Sequence, residues 1–224
     1  MNQEQNIINS WFANAGNWAA IIDSNSIESR KLATNKAIID VICDSNPVSV
    51  LDVGCGEGWL AKELYDKGIN VTGVDVVPEL IEKAKQKIDA KFFVASYDAI
   101  CSKRVSLPEP FDAIVINFAL IAKESTENLL AALPHYLTES GRLFIQTLHP
   151  FSRKLIDDYT TGWKEGSWDG LGEQFTMPYQ WYFRTLEDWL FLLDQSGFSN
   201  SKVTEVLHPH SGKPLSVIFE CKKK

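Results

Sequence analysis

The chain has 224 residues, of which 45% are hydrophobic and 23% charged, with a formal net charge of −7. That size suits one large α/β domain with a well-filled core. The acidic balance excludes a binder driven by phosphate backbones, which needs clustered Lys and Arg; the one basic run, Lys222-Lys223-Lys224, reads as a solvated tail.

The N-terminal segment MNQEQNIINSWF lacks both a basic region and a continuous apolar stretch. The first predicted helix covers 27–44, where Ile27, Leu32, Ala37, Ile38, Val41 and Ile42 roughly follow helical spacing. Pro47 interrupts, and VSVLDV (48–53) reads as a short buried strand. A helix over 57–67 closes at Gly68, a typical C′ glycine. NVTGVD (70–75) is the second strand, and Pro78 opens a helix that runs through 79–88. KFFVAS (91–96) is the third strand, SLPEP (106–110) a loop, and FDAIVIN (111–117) a fourth strand apolar enough to be covered on both faces. Residues 124–137 are helical and GRLFIQTL (141–148) is the fifth strand. Such alternation predicts a doubly wound parallel sheet with helices on both faces. Right-handed crossovers gather the strand C-termini at one edge, where ligands bind at the topological switch point.

The character changes after Pro150. Residues 151–191 hold eleven of the chain's 25 aromatic residues and four glycines, without sustained helical or strand period. Long irregular segments of this kind form lids and binding loops. RTLEDWLFLLDQSGF (184–198) predicts a helix stopped by Gly197, and SKVTEVL (201–207) and PLSVIFEC (214–221) predict two last strands around a turn at Ser211-Gly212. Cys43, Cys55, Cys101 and Cys221 show no CxxC spacing, and no apolar run approaches the roughly 20 residues that span a bilayer. A cytoplasmic, thiol-reduced protein without membrane or nucleic-acid partners is expected, as monomer or homodimer.

The most specific stretch is VLDVGCGEGWLAKEL (50–64). An apolar strand carrying Asp52 runs into Gly54, Gly56 and Gly58, and a helical pattern follows at once. Glycine permits positive φ and close approach of a ligand to the backbone, and the helix start offers unpaired N–H groups. Seventeen residues past Gly58 the second strand ends in Asp75, the spacing at which an acid grips a ribose hydroxyl. These features point to a nucleoside-bearing ligand. The dinucleotide fingerprint needs Gly or Ala where Trp59 stands, and Glu57 would set a negative charge beside a pyrophosphate. Both weigh against NAD and FAD.

VLDVGCGEG with VTGVD resembles motif I and the following acidic motif of class I S-adenosylmethionine-dependent methyltransferases, and the likeness extends through FDAIVINFAL and SGRLFIQTLHP, over 48–150. The resemblance implies a Rossmann-like, seven-stranded, mostly parallel sheet with an antiparallel last strand, plus an aromatic-rich lid insertion. One domain over 1–224 would then comprise an N-terminal helical cap (1–46), a cofactor-binding core (47–150), the lid or substrate insertion (151–191) and the C-terminal helix end and strands (192–224). S-adenosylmethionine, leaving as S-adenosylhomocysteine, is the implied cofactor. It has no phosphates, so the turn needs no basic residue.

By the same resemblance Gly54, Cys55 and Gly56 line the methionine portion, Asp52 orients the loop or meets the amino group, and Asp75 takes the ribose hydroxyls. Val76 packs on the adenine, whose amino edge is read by Ser96, Tyr97 or Asp98; the usual Gly-Asp-Ala is here ASYDA, which leaves the choice open. Asn117 and Phe118 end the fourth strand where the family holds the amino group and faces the methyl. Arg30 is a candidate partner for the carboxylate. Plainer readings exist: Asp52, Asp98 and Asn117 as capping or turn residues, Asp75 as an ordinary strand-end acid, and Arg30 on a solvated face.

Methyl transfer is an in-line displacement in which positioning supplies about 7–11 kcal/mol. A general base is needed only when a proton must leave. Asn117 and His149 are the catalytic candidates, His149 because it follows the fifth strand directly. His208 and His210 have no third ligand nearby, and no metal is expected. The segment Asn117-Phe118-Ala119-Leu120 lacks the prolines and tyrosine of adenine-N enzymes, and the Pro-Cys of cytosine-carbon enzymes is missing. A small-molecule acceptor, methylated at O, N or C, is the remaining default. Tyr179, Trp181, Tyr182 and Arg184 are its candidate contacts. A catalytically silent S-adenosylmethionine-binding regulator would keep the same turn, and acceptor space beside the methyl distinguishes the two.

Overall fold

The computed structural model describes residues 2–108, 110–154 and 159–224. It opens with α1 (Gln3–Asp23), a helix of 21 residues that precedes the predicted ones. Asn2 caps it, its side chain accepting from Glu4 N at 3.0 Å. The buried stripe is Ile7, Ser10, Asn14, Ala15 and Ala19. Two polar members blur its hydrophobic period, and both are buried because residues far along the chain bond to them, as described below.

The helix expected over 27–44 is present but not regular. A π-helical turn, Arg30–Thr34, leads into α2 (Asn35–Asp44). The predicted alternation then follows: β1 (Ser49–Val53), α3 (Trp59–Tyr65), β2 (Asn70–Asp75), α4 (Pro78–Lys87), β3 (Lys91–Val94), α5 (Tyr97–Cys101), β4 (Phe111–Asn117), α6 (Glu124–Ala132) and β5 (Leu137–Leu148). Pro78 occupies the first turn of α4, where its missing N–H costs nothing. After α7 (Pro150–Lys154), two short strands, β6 (Gly162–Lys164) and β7 (Trp181–Phe183), pair as an antiparallel ribbon inside the aromatic segment. α8 (Leu186–Gln195) starts at Thr185, whose hydroxyl accepts from Asp188 N, and β8 (Phe198–Leu207) and β9 (Pro214–Lys223) close the chain. The lysines read as a tail partly belong to β9: Lys222 pairs with Arg142 across the sheet, and Lys223 Nζ lies 2.8 Å from Glu139 Oε1.

The main sheet has seven strands in the order β3-β2-β1-β4-β5-β9-β8. β1 to β5 are parallel neighbours, and β9 runs antiparallel to both β5 and β8. The order reverses between β1 and β4, so a crevice opens at their C-terminal ends. Both faces of the sheet are covered, as the apolar strands require. Leu51, Ile114, Ile116, Leu143 and Ile145 pack with Leu129, Leu133, Trp189 and Leu193 on one side. Their alternating neighbours Val50, Ala113, Val115 and Phe144 pack with Ile38, Ile42, Leu60, Leu64 and Ile81 on the other.

Candidate active site

The crevice is shaped first by backbone. Gly54, Gly56 and Gly58 all have positive φ (73°, 56° and 82°). Gly54 N and Cys55 N both donate to Val74 O, at 2.7 and 3.0 Å, which folds the turn onto β2. A Cβ on Gly54 would stand 2.5 Å from Ala119 Cβ, so the β1 and β4 exits touch only because residue 54 is glycine. A Cβ on Gly58 would lie 2.8 Å from Ala84 Cβ. The close helix approach that a dinucleotide turn makes at the position of Trp59 is thus made one residue earlier, and the Trp59 indole is left beside Arg30.

Asp75 holds this turn. Its Oδ2 accepts from Gly56 N and its Oδ1 from Val77 N, each at 2.9 Å. Burial raises its carboxyl above the usual range, against the pull of those N–H groups. Asp52, on β1, is 1% exposed, and its Oδ2 has no hydrogen-bond partner. Burial, with the charges of Asp75 and Glu57, pushes its carboxyl up to about 8. Glu57 is raised as well, chiefly by burial, with Lys87 Nζ 3.6 Å from its Oε1. The compensating cation inside the crevice is Arg30, delivered by the π turn and 8% exposed. Burial lowers its guanidinium to about 10, opposed by Glu57, and its Nη2 has no hydrogen-bond partner.

The exits of β3 and β4 complete the floor. Ser96, not Asp98, is the N-cap of α5, its Oγ accepting from Ala99 N at 3.2 Å; the reading of Asp98 as that cap is corrected. Tyr97 Oη donates to Ala119 O at 3.0 Å, and burial raises its phenol far above the ordinary value. Asp98 is exposed and paired with Arg104. Asn117 ends β4 with a buried Oδ1 that has no hydrogen-bond partner. Phe118 adopts φ 54°, uncommon for a bulky residue, while its N donates to Gln146 O at 2.8 Å. Left-handed strain of this kind, about 1–3 kcal/mol, clusters at functional sites.

All of these groups that face the crevice surround a cavity of about 370 Å³; Asp52, expected to serve the cofactor, is buried and is not among its lining residues. Arg30, Gly54, Cys55, Gly56, Asp75, Val76, Ser96, Tyr97, Asp98, Asn117 and Phe118 line it together. Its roof is α1, through Ile7, Ile8, Trp11 and Trp18, and its far wall includes Ile121, Ala122 and Ser125. The roof, Glu57 and Trp59 were not among the residues expected from sequence. The signal was present: Ile7, Trp11 and Trp18 recur at helical spacing on one face.

The other expected residues lie elsewhere. His149 is buried away from the cavity lining, with Nε2 2.9 Å from Glu205 Oε1 and Nδ1 accepting from Phe151 N. Nδ1 serves the β5–α7 turn, and Nε2 ties that turn to β8. None of Tyr179, Trp181, Tyr182 and Arg184 lines the cavity. Tyr179 is buried, 5.4 Å ring to ring from Trp168. Trp181 Nε1 donates to Glu165 O and Tyr182 N to Ile121 O. Arg184 donates to Ala122 O and Lys123 O at 3.0 Å each and to Glu127, between the rings of Tyr182 and Trp189.

The aromatic segment backs the roof rather than forming it. Trp168 packs edge-on to Trp11 at 5.0 Å, and its Nε1 donates to Ser10 Oγ. Asn14 pairs with residue 176 as a strand would, donating to Thr176 O at 2.7 Å and accepting from Thr176 N at 2.9 Å. Glu4 Oε1 accepts from Lys123 N and Glu124 N, which pins the first turn of α1 to the start of α6.

A family model described as a methyltransferase domain matches residues 18–203. A ubiquinone biosynthesis O-methyltransferase of Xylella fastidiosa is 33% identical over 125 residues, covering 52% of this chain and 50% of that protein. The chain thus spans about half the length of the curated relative it matches. An uncharacterized methyltransferase of Staphylococcus carnosus is 25% identical over 78% of this chain and 83% of its own length. Among solved structures, the Burkholderia thailandensis 1,6-didemethyltoxoflavin-N1-methyltransferase, with bound 1,6-didemethyltoxoflavin and S-adenosylhomocysteine, shares the fold at a TM-score of 0.69. It is 16% identical and covers all of this chain and 91% of its own. A putative S-adenosylmethionine-dependent methyltransferase of Listeria monocytogenes follows at 0.65, with 20% identity over 84% of this chain and 95% of that one. The chain belongs to the methyltransferase domain family, and its fold is that of solved S-adenosylmethionine-dependent methyltransferases.

Proposed function

We propose that this chain transfers the methyl group of S-adenosylmethionine to a small, mostly apolar acceptor by in-line displacement. When bound, the cofactor supplies an electrophilic methyl on a positively charged sulfur. The observation that carries the reading is the set of buried, hydrogen-bond-free atoms around the glycine turn. Arg30 Nη2 is a donor suited to a carboxylate, and Asn117 Oδ1 is an acceptor suited to an ammonium. Asp75, already fixed by two backbone N–H groups, keeps lone pairs for two ribose hydroxyls. Val76, Val77 and Leu80 give the adenine an apolar wall. Ser96, Tyr97 and Asp98 all border its polar edge, each with one partner already, Ala99 N, Ala119 O and Arg104 respectively.

The cavity continues past these groups to Ile7, Ile8, Ile121, Ala122 and Ser125, which supports an acceptor-binding enzyme over a silent binder. Among the described lining residues there is no His and no Lys. The lining carboxylates Glu4 and Asp75 are committed to backbone N–H groups, so the site best suits an acceptor that needs no strong base: an amine or ring nitrogen, or a hydroxyl acidic enough to ionise in water. The relatives above are named as an O-methyltransferase and an N1-methyltransferase, in keeping with acceptors of either element. Titration calorimetry tests the first half: saturable binding of S-adenosylhomocysteine is expected, and binding of a nicotinamide dinucleotide instead would overturn the reading. For the second half, a panel of small amines, azaheterocycles and phenols is assayed for methyl uptake. Turnover confined to aliphatic alcohols, which need a base, would exclude the acceptor class.

A further inference from the structure

We propose that Trp18 and Trp59 are positioning residues whose indoles hold the Arg30 guanidinium where it meets the cofactor's carboxylate, and so set affinity for the amino-acid end of the cofactor. The inference rests on the role given to Arg30 above. Its guanidinium carbon lies 4.5 Å from the ring centroid of Trp59 and 6.0 Å from that of Trp18. A buried arginine is usually fixed by a carboxylate in bidentate contact. Here ring faces take that place. A cation–π contact fixes the plane of the guanidinium and leaves its N–H edge unused, in keeping with the orphan Nη2.

The surroundings show why such a hold is needed. Arg30 and Trp59 line a second cavity as well, of about 420 Å³, which also contains the carboxylates of Asp23 and Glu63. Together they form the wall between the two spaces. A guanidinium without its indole could turn to Glu63, or to Glu57, whose charge already acts on it; Asp23 is held by Lys87 at 3.1 Å. The two rings also come from different parts of the fold: Trp59 begins α3 directly after the glycine turn, and Trp18 sits on α1. The carboxylate grip is complete only with α1 docked.

The test compares S-adenosylmethionine with decarboxylated S-adenosylmethionine, which differ only by the carboxylate, by titration on the intact chain and on W18A, W59A, W18F, W59F and R30K. Each alanine variant is expected to weaken S-adenosylmethionine about tenfold and the decarboxylated ligand less than twofold. The phenylalanine variants should recover most of the loss. R30K, charged but not planar, should behave like the alanine variants. Parallel loss of both ligands, or unchanged S-adenosylmethionine affinity in both alanine variants, would overturn the proposal. An intact chain that binds neither ligand would instead refute the cofactor reading beneath it. Thermal melts identify any variant that fails to fold, and W18L and W59L, apolar but without a ring face, then decide: they should lose S-adenosylmethionine affinity as the alanine variants do, and wild-type affinity in both would overturn the proposal.

Discussion

The floor and the roof of the cavity are built by different physics. The floor, at the ends of β1, β2 and β4, is fixed by backbone: positive-φ glycines, a touching pair at Gly54 and Ala119, and an aspartate tied to two N–H groups. The roof, α1, is held from behind by a segment some 160 residues away through side-chain hydrogen bonds, the Trp168 indole to Ser10 and the Asn14 amide to the Thr176 backbone. Constraints of the first kind admit few residue types, while those of the second admit many. The floor should therefore fail sharply under substitution and the roof gradually.

Asp75→Ala carries the largest expected effect. It removes the two ribose contacts proposed above and both turn anchors, and charged hydrogen bonds at about 1.5–3 kcal/mol each imply roughly 10²–10⁴-fold weaker cofactor binding. Calorimetry with S-adenosylhomocysteine measures it, and a loss under threefold would take Asp75 out of the site. Gly58→Ala comes next. Its Cβ meets Ala84 at 2.8 Å on a backbone with φ 82°, so chemical denaturation should show a loss of about 2–4 kcal/mol. A wild-type midpoint would mean that α3 and α4 part without cost.

The acid cluster gives a pH signature. Asp52 is lifted from 3.8 to about 8 by burial and by Asp75 and Glu57. Between those values the folded chain holds a proton that the unfolded chain has released. This contribution is full below pH 4 and is lost as pH rises toward 8, with a slope of up to about 1.4 kcal/mol per pH unit. Denaturation midpoints of the cofactor-free protein across that range should flatten in Asp52→Asn, and an unchanged slope would assign the dependence to other groups. The smallest effect is expected in the roof: Asn14→Ala loses two bonds to residue 176. It should cost about 1–2 kcal/mol, speed hydrogen exchange in α1 and change cofactor affinity only a few-fold. A loss as large as that of Asp75→Ala would erase the distinction between the two regions.

The same division explains what could be read beforehand. Strands 48–53, 70–75 and 111–117, the glycine turn and Asp75 follow from local rules, since buried parallel strands are apolar throughout and tight turns demand glycine. The roof does not, because Ser10 and Asn14 are polar in sequence and become interior only when Trp168 and Thr176 supply partners. Arg184 illustrates the converse. A cation in an aromatic segment suggests ligand contact, but its donors are engaged by the carbonyls of Ala122 and Lys123 at the start of α6. His149 likewise follows a strand at the active edge, while its ring bonds to Glu205 on β8 and to the Phe151 backbone make it a fastener between β8 and the β5–α7 turn.

The π turn at Arg30–Thr34 determines which way that whole segment faces. At about 100° per residue, a regular helix would set Ile38 and Ile42 roughly 80° and 120° around the axis from Arg30. A π turn absorbs one extra residue, which brings those angles to within about 20° of Arg30 on either side. One irregularity thus lets a single helical stripe anchor itself in the apolar layer with two isoleucines and, a few turns earlier, deliver a charged group to the crevice.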